Sequence, residues 1–193
     1  LRNTEPLPYD WLVLAAGAGH AYFGNDHWAS FAPGLKSIED ALEIRRRVLL
    51  AYEAAEQAES EEERLRRLTF VVVGAGPTGV EMAGALREIA SETIPADFRR
   101  VDTRTARVVL VEGQDRVLSA MSKRASDRAQ AALTSMHIEV RLNTFVTDVD
   151  AEGVLLGQER LEAANVIWAA GVRASSVGKT LGSPTDAAGR VVV

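Results

Sequence analysis

The feature that most narrows what this chain can fold into is a turn. Phe70-Val71-Val72-Val73 is an unbroken apolar run that stops at Gly74-Ala75-Gly76-Pro77-Thr78-Gly79, and beyond it small and apolar residues recur at Val80, Ala83, Gly84, Leu86 and Ile89. That order predicts a strand, a tight turn and a helix. The first glycine, Gly74, lets the chain leave the strand sharply, Gly76 lets backbone approach a pyrophosphate with no Cβ in the way, and Gly79 lets helix and strand pack closely. Pro77 and Thr78 complete the candidate cofactor-binding loop, and the helix that begins there offers unsatisfied N–H groups and a positive dipole end as a site for phosphates. A bare G-x-G-x-x-G is common by chance, so its context carries the weight.

The context is regular. Arg107 to Val111 reads as a second strand, Ser122 to Met136 as a helix and Ile138 to Leu142 as a third strand, with a polar insertion at 91–105. Alternating β and α segments at this spacing predict a parallel sheet with crossover helices. Short strands at Phe145 to Val149, Val154 to Leu156 and Arg160-Leu161 then predict an antiparallel meander, and Asn165 to Ala169 a further apolar strand. The fold class is therefore α/β, a Rossmann-like parallel sheet plus a short antiparallel β-meander. Upstream, Tyr9 to Ala16 is expected to be a buried strand entering the loop Gly17-Ala18-Gly19. Ser37, with Asp40 three residues on, caps a long lead-in helix over 37–66 that fades into the charged stretch Glu59 to Arg67. The expected organisation is a strand and loop at 1–36, a nucleotide-binding domain at 37–172 (fingerprint 69–90, meander 144–162) and a return segment at 173–193.

Composition removes other classes. Of 193 residues, 47% are apolar and 25% charged, which is ordinary for a globular domain, and the net charge of −5 with no basic, aromatic-interleaved cluster argues against nucleic acid as a partner. The absence of cysteine excludes disulfides, thiolate metal sites and cysteine nucleophiles from this stretch. The three histidines, His20, His27 and His137, lack ligand spacing, so no metal is expected. No apolar run reaches the ~18 residues of a membrane span and no signal segment opens the chain, so the stretch as given reads as neither transmembrane nor secreted. It starts at Leu1 and ends on the strand-like Arg190 to Val193, which reads as an internal piece of a longer protein.

Glu112 ends the second strand. A carboxylate there accepts both hydroxyl hydrogens of an adenosine ribose and repels a 2′-phosphate, so NADH is expected over NADPH. It lies farther from the turn than the usual ~20 residues, and the insertion accounts for the excess. Glu81, two residues beyond Gly79, is placed in the first turn of the helix, where an acid favours the dipole in any protein. His20 and His27 are expected to be loop residues without a base partner.

Several further stretches share a pattern: Tyr9-Asp10-Trp11-Leu12-Val13-Leu14-Ala15-Ala16-Gly17-Ala18, His20-Ala21-Tyr22-Phe23-Gly24, Ile38-Glu39-Asp40-Ala41, Asp97-Phe98-Arg99 and Val166-Ile167-Trp168-Ala169-Ala170-Gly171-Val172. With the fingerprint they make the chain resemble the type II NADH:quinone oxidoreductases, a branch of the pyridine nucleotide-disulfide oxidoreductase-like flavoproteins of the respiratory chain. The resemblance implies that NADH binds here, that hydride passes to an FAD held mainly outside this chain, and that a quinone is reduced in the full-length enzyme. It implies that Glu81 lies near the nicotinamide and flavin as the catalytic candidate, that Gly171 and Val172 line the nicotinamide side, and that Ala16-Gly17 packs by the flavin, with Ala16 where the family has Thr. His137 stands where the family has Gly at a helix end, a left-handed position that His tolerates. Further implications are an inactive isolated fragment, a homodimer, and a cytoplasmic enzyme peripheral to the inner face of the plasma membrane, touching it only through a C-terminal part not present. Two alternatives remain open: the NAD domain of a disulfide- or ferredoxin-type flavoprotein reductase, and a non-catalytic NAD(H)-binding module.

Overall fold

In a computed structural model, the structure describes residues 7–192. The chain divides into two compact units, one running His20–Gly171, the other joining residues up to Gly19 with those from Val172 onward. The larger unit thus takes in residues 20–36 together with the expected nucleotide-binding stretch.

The smaller unit holds β1 (Ala18–His20), whose last residue opens the larger unit. Its partner is β9 (Val172–Ala174). The expected buried strand over Tyr9 to Ala16 does not form, and Trp11 and Val13 are 91% and 88% exposed. That stretch pairs with no strand among the described residues, so its backbone joins no ladder and its apolar side chains stay in solvent.

The larger unit is built on one fully buried strand. β2 (Thr69–Val73) lies between β3 (Arg107–Val111) and β8 (Asn165–Trp168), with β4 (Glu139–Arg141) beyond β3, all parallel in the order β4-β3-β2-β8. Burial on both faces is what requires an unbroken apolar run. Phe70 and Val72 pack towards the helices α1 (Ile38–Gln57), α3 (Pro77–Glu88) and α4 (Lys123–Ser135), contributing to one core cluster. Val71 and Val73 belong to a second cluster, with the meander β5 (Val146–Asp150), β6 (Gly153–Leu156) and β7 (Glu159–Glu162). The sheet is therefore the middle of three layers.

The lead-in helix is two helices. Ser37 and Asp40 form the predicted capping box of α1, and Ile44, Val48, Ala51, Tyr52 and Ala55 make its buried stripe. The chain breaks at Ala58 because Ser60 caps a second start, accepting from the Glu63 N–H at 3.1 Å, and α2 (Glu61–Arg67) follows. Ser-x-x-Glu was the signal for that break. His137 adopts φ 59°, the left-handed conformation expected after α4. Gly84 faces Met136 rather than the sheet, whereas Ala83 is buried against it.

The insertion is anchored rather than loose. A single π turn (Ile89–Thr93) extends α3, and the buried Thr103 hydroxyl donates to the Ala90 carbonyl at 2.7 Å. From α1, the Glu56 carboxylate accepts the backbone N–H groups of Arg99, Arg100 and Val101 at 2.8–3.2 Å. Burial raises the Glu56 carboxyl, but these three bonds outweigh it and hold it below the usual glutamate range. A depressed folded value gives stability that is present at neutral pH and lost as pH falls through it. Replacing Glu56 by Ala should therefore destabilise the protein at pH 7, and the gap from wild type in urea midpoints should close on acidification towards pH 3. A second expectation concerns Tyr52, fully buried between Phe70 and Phe98, whose hydroxyl has no partner among the described residues. Tyr52→Phe removes an unsatisfied buried group and should raise stability by about 1 kcal/mol in denaturant unfolding.

Candidate functional site

The strand order reverses at β2: the α3 crossover leads to β3 on one side, while β8 returns on the other. In open α/β sheets the crevice outside the carboxyl ends at such a reversal is where ligands bind. Here it is a cleft of about 560 Å³ whose lining includes Gly74, Gly76, Glu112, Phe145, Trp168 and Gly171.

The three fingerprint glycines do different work. Gly74, at φ 100°, donates its N–H to the Val111 carbonyl at 2.7 Å, and a Cβ there would stand 2.7–2.8 Å from the backbone of Ala169 and Ala170. Gly79 is buried, and a Cβ on it would collide with the Gly74 carbonyl oxygen. Gly76 meets neither obstacle: it has an ordinary extended backbone as the N-cap of α3, and the place a Cβ would occupy is open. The packing of the protein therefore makes no demand on its missing side chain. Gly76 gives no side-chain cap and Pro77 stands at the first helical position, so the first-turn N–H groups of Thr78 and Gly79 are left for an anion.

Glu112 ties the cleft together. Its Oε2 accepts the Ala75 N–H at 2.6 Å and its Oε1 the Gln114 N–H at 2.9 Å, so one carboxylate bridges the glycine turn and the loop after β3. Ala75 answers by accepting the Leu118 N–H at 2.8 Å. A carboxylate offers about four lone-pair sites, which leaves two for a diol in the cleft.

Of the other candidate residues, Gly171 lines the same cleft. Glu81 does not. It is the fifth residue of α3, beyond the first turn where the sequence placed it, exposed, and without an ion pair or side-chain hydrogen bond among the described residues. Ala16, Gly17 and Val172 belong to the smaller unit. There Ala16 lines a polar recess of about 700 Å³ with Arg173, Ser175, Ser176 and Lys179. No group of histidines and acids capable of holding a metal occurs among the described residues.

The sequence reading missed the aromatic half of the cleft. Trp168 stacks on Tyr22 at 5.1 Å and lies 5.6 Å from Trp28, whose indole N–H donates to Asp148 at 3.0 Å. Phe145 lies over Gly113, where a Cβ would come within 2.6 Å of its ring. A glycine directly after Glu112 was the available signal. His20 also differs from expectation: Nε2 pairs with Asp40 Oδ2 at 3.0 Å, and its ring fills the space a side chain at Gly34 would need. Burial raises the Asp40 carboxyl, yet His20 and the Lys36 and Ser37 N–H groups hold it below the usual aspartate range. That pair closes the start of α1 and lies outside the cleft lining.

Comparison with known proteins agrees with this geometry. Residues 2–193 match the family model described as pyridine nucleotide-disulphide oxidoreductase. Two proteins of Mycobacterium tuberculosis, the type II NADH:quinone oxidoreductases Ndh and NdhA, are each 48% identical to the chain, covering 100% and 98% of it. The chain spans 44% and 43% of their respective lengths. Among solved structures, NDH2 from Plasmodium falciparum in complex with NADH superposes with a TM-score of 0.79 at 27% identity, covering 88% of this chain and 36% of that one.

The glycines give a test. Gly76→Ala should fold with stability within about 1 kcal/mol of wild type yet lose dinucleotide binding, whereas Gly74→Ala should cost more than about 2 kcal/mol through its positive φ and backbone collision. Thermal unfolding alongside NADH titration reads both.

Proposed function

The chain belongs to the pyridine nucleotide-disulphide oxidoreductase family, and from that premise we propose that it is the NADH-binding portion of a flavin-dependent NADH:quinone oxidoreductase. The observation that carries this reading is the pairing of an open Gly76 with the Glu112 bridge at the carboxyl ends of β2 and β3. The pyrophosphate of NADH sits on the first turn of α3, drawn by unsatisfied N–H groups and the helix dipole. The adenosine ribose meets the two remaining lone-pair sites of Glu112, which receive hydroxyl hydrogens and repel a phosphate. The nicotinamide half then runs over the end of β8, towards Trp168 and Gly171.

The polar recess of the smaller unit, with Arg173 and Lys179 beside two serine hydroxyls, suits the phosphate-bearing cofactor FAD, and Ala16, Gly17 and Val172 are the residues of this chain we assign to its neighbourhood. FAD, when bound, accepts hydride from NADH and supplies two electrons to a quinone. In this arrangement the residues up to Gly19 and from Val172 onward serve the flavin side, and His20–Gly171 the NADH side. Glu81, exposed and unpaired with any cation, is assigned to orienting the nicotinamide or moving a proton beside it. Membrane contact and dimerisation, with quinone reduction at the inner face of a plasma membrane, are assigned to the rest of the full-length enzyme. Among the described residues no helix is long and apolar enough to cross a membrane.

Two charge-assisted hydrogen bonds and the loop brace depend on Glu112. Glu112→Ala should weaken NADH binding at least about tenfold and narrow the preference for NADH over NADPH. Titration of both nucleotides checks this; an NADPH preference in wild type, or unchanged NADH affinity in the variant, overturns the assignment.

A further inference from the structure

Phe23 stands at the β8 end of the cleft in a conformation its side chain disfavours. The Asn25 N–H donates to the Tyr22 carbonyl at 3.0 Å, closing a turn whose central residues Phe23 and Gly24 have φ 53° and 95°. Two positive φ values in succession mark a type I′ turn, whose first central position favours Asn, Asp or Gly, and a bulky aromatic there is an outlier. Burial gives nothing in return, because Phe23 is 72% exposed. The base of the turn is nonetheless fixed. Tyr22 stacks on Trp168 and donates its hydroxyl to the Ala32 carbonyl at 2.7 Å, and the Trp168 indole N–H donates to the Ala21 carbonyl at 3.0 Å. The residue facing the ring is Gly171, at φ 75°, where a Cβ would stand 2.6 Å from Phe23 Cζ. A rigid turn, a strained and exposed ring, and a facing glycine leave a bare aromatic face at one end of the cleft. Strain kept in place by its surroundings points to function.

Polarity of the bound dinucleotide decides what that face meets. With the pyrophosphate at Gly76 and the adenosine ribose at Glu112, the remaining half of the molecule ends beside Gly171. We propose that Phe23 contacts the nicotinamide, its ring packing against the nicotinamide ring and holding it at the Gly171 end of the cleft. The assignment rests on the reading of the cleft as the NADH site.

ADP-ribose separates the two ideas, since it carries the adenosine, pyrophosphate and second ribose of NADH but no nicotinamide. Calorimetric titration of the protein should show Phe23→Ala weakening NADH about tenfold, as loss of a ring-on-ring stack does, while ADP-ribose affinity changes less than about twofold. Phe23→Tyr keeps the ring and should bind NADH as wild type does. Equal weakening of both ligands in Phe23→Ala, the same loss in Phe23→Tyr, or unchanged NADH binding in Phe23→Ala overturns the Phe23 assignment and leaves the NADH reading standing. Wild-type protein that binds neither ligand overturns both.

Discussion

The chain's reversal at Gly74 is the constraint on which the larger unit turns. Strand β2 is buried on both faces and hydrogen-bonded on both edges, so its exit has one open direction, upward between the ends of β3 and β8. Taking it needs φ 100° and a residue with no side chain against Ala169 and Ala170. Once the turn is made, α3 must start within a few residues and lie close over the sheet, which Gly79 permits by presenting nothing to the Gly74 carbonyl. The crossover to β3 follows, and with it the placement of Glu112. A cleft at the sheet end is thus the geometric residue of packing one apolar strand. Its walls are then fitted with donors rather than filled.

This dependence explains how much could be read in advance. The parallel sheet of β2, β3 and β4, its crossover helices and the meander were all legible, because each is written locally as an apolar period or a glycine turn; that β8 returns beside β2 was not. What depends on partners far along the chain was not. Trp168 meets Trp28 and Tyr22 across long separations, and only the assembled sheet shows that Trp168 and Trp28 line the cleft with Tyr22 stacked on Trp168. The run Tyr9 to Ala16 shows the converse failure: its local pattern is that of a strand, but a strand is a pairing, and among the described residues no strand pairs with it. Likewise Ser60 was passed over inside a charged run, though its spacing to Glu63 is a helix start on its own terms.

The candidate site divides along the same line. Residues whose role lies in the backbone, Gly74, Gly76 and Gly79, were found by spacing; the fold requires Gly74 and Gly79 for different physical reasons and leaves the space beside Gly76 open. Residues whose role lies in side-chain reach were found less well. Glu112 was placed at the strand end, but its bridge to Ala75 and Gln114 depends on where the loop after β3 folds back, and that loop is held by further bonds from Asn143 and Thr144 beyond β4. Glu81 was placed by its distance from Gly79, but the helix already runs from Pro77, which makes Glu81 its fifth residue and puts it past the first turn.

The Glu112 bridge also says something about order of events. A carboxylate left alone beside a helix N-terminus would be drawn towards the same N–H groups that a phosphate needs, and it would compete with the ligand. Here it is bound instead to Ala75, ahead of the helix, and to Gln114 on the far loop, so its charge is committed before any nucleotide arrives and the first turn of α3 stays free. The two unused lone-pair sites then face hydroxyl donors only. On the proposed reading, one acid thus braces the turn, leaves the first-turn N–H groups of α3 to the pyrophosphate and admits a ribose diol, and a phosphate on that ribose would meet a negative charge held in place by two hydrogen bonds.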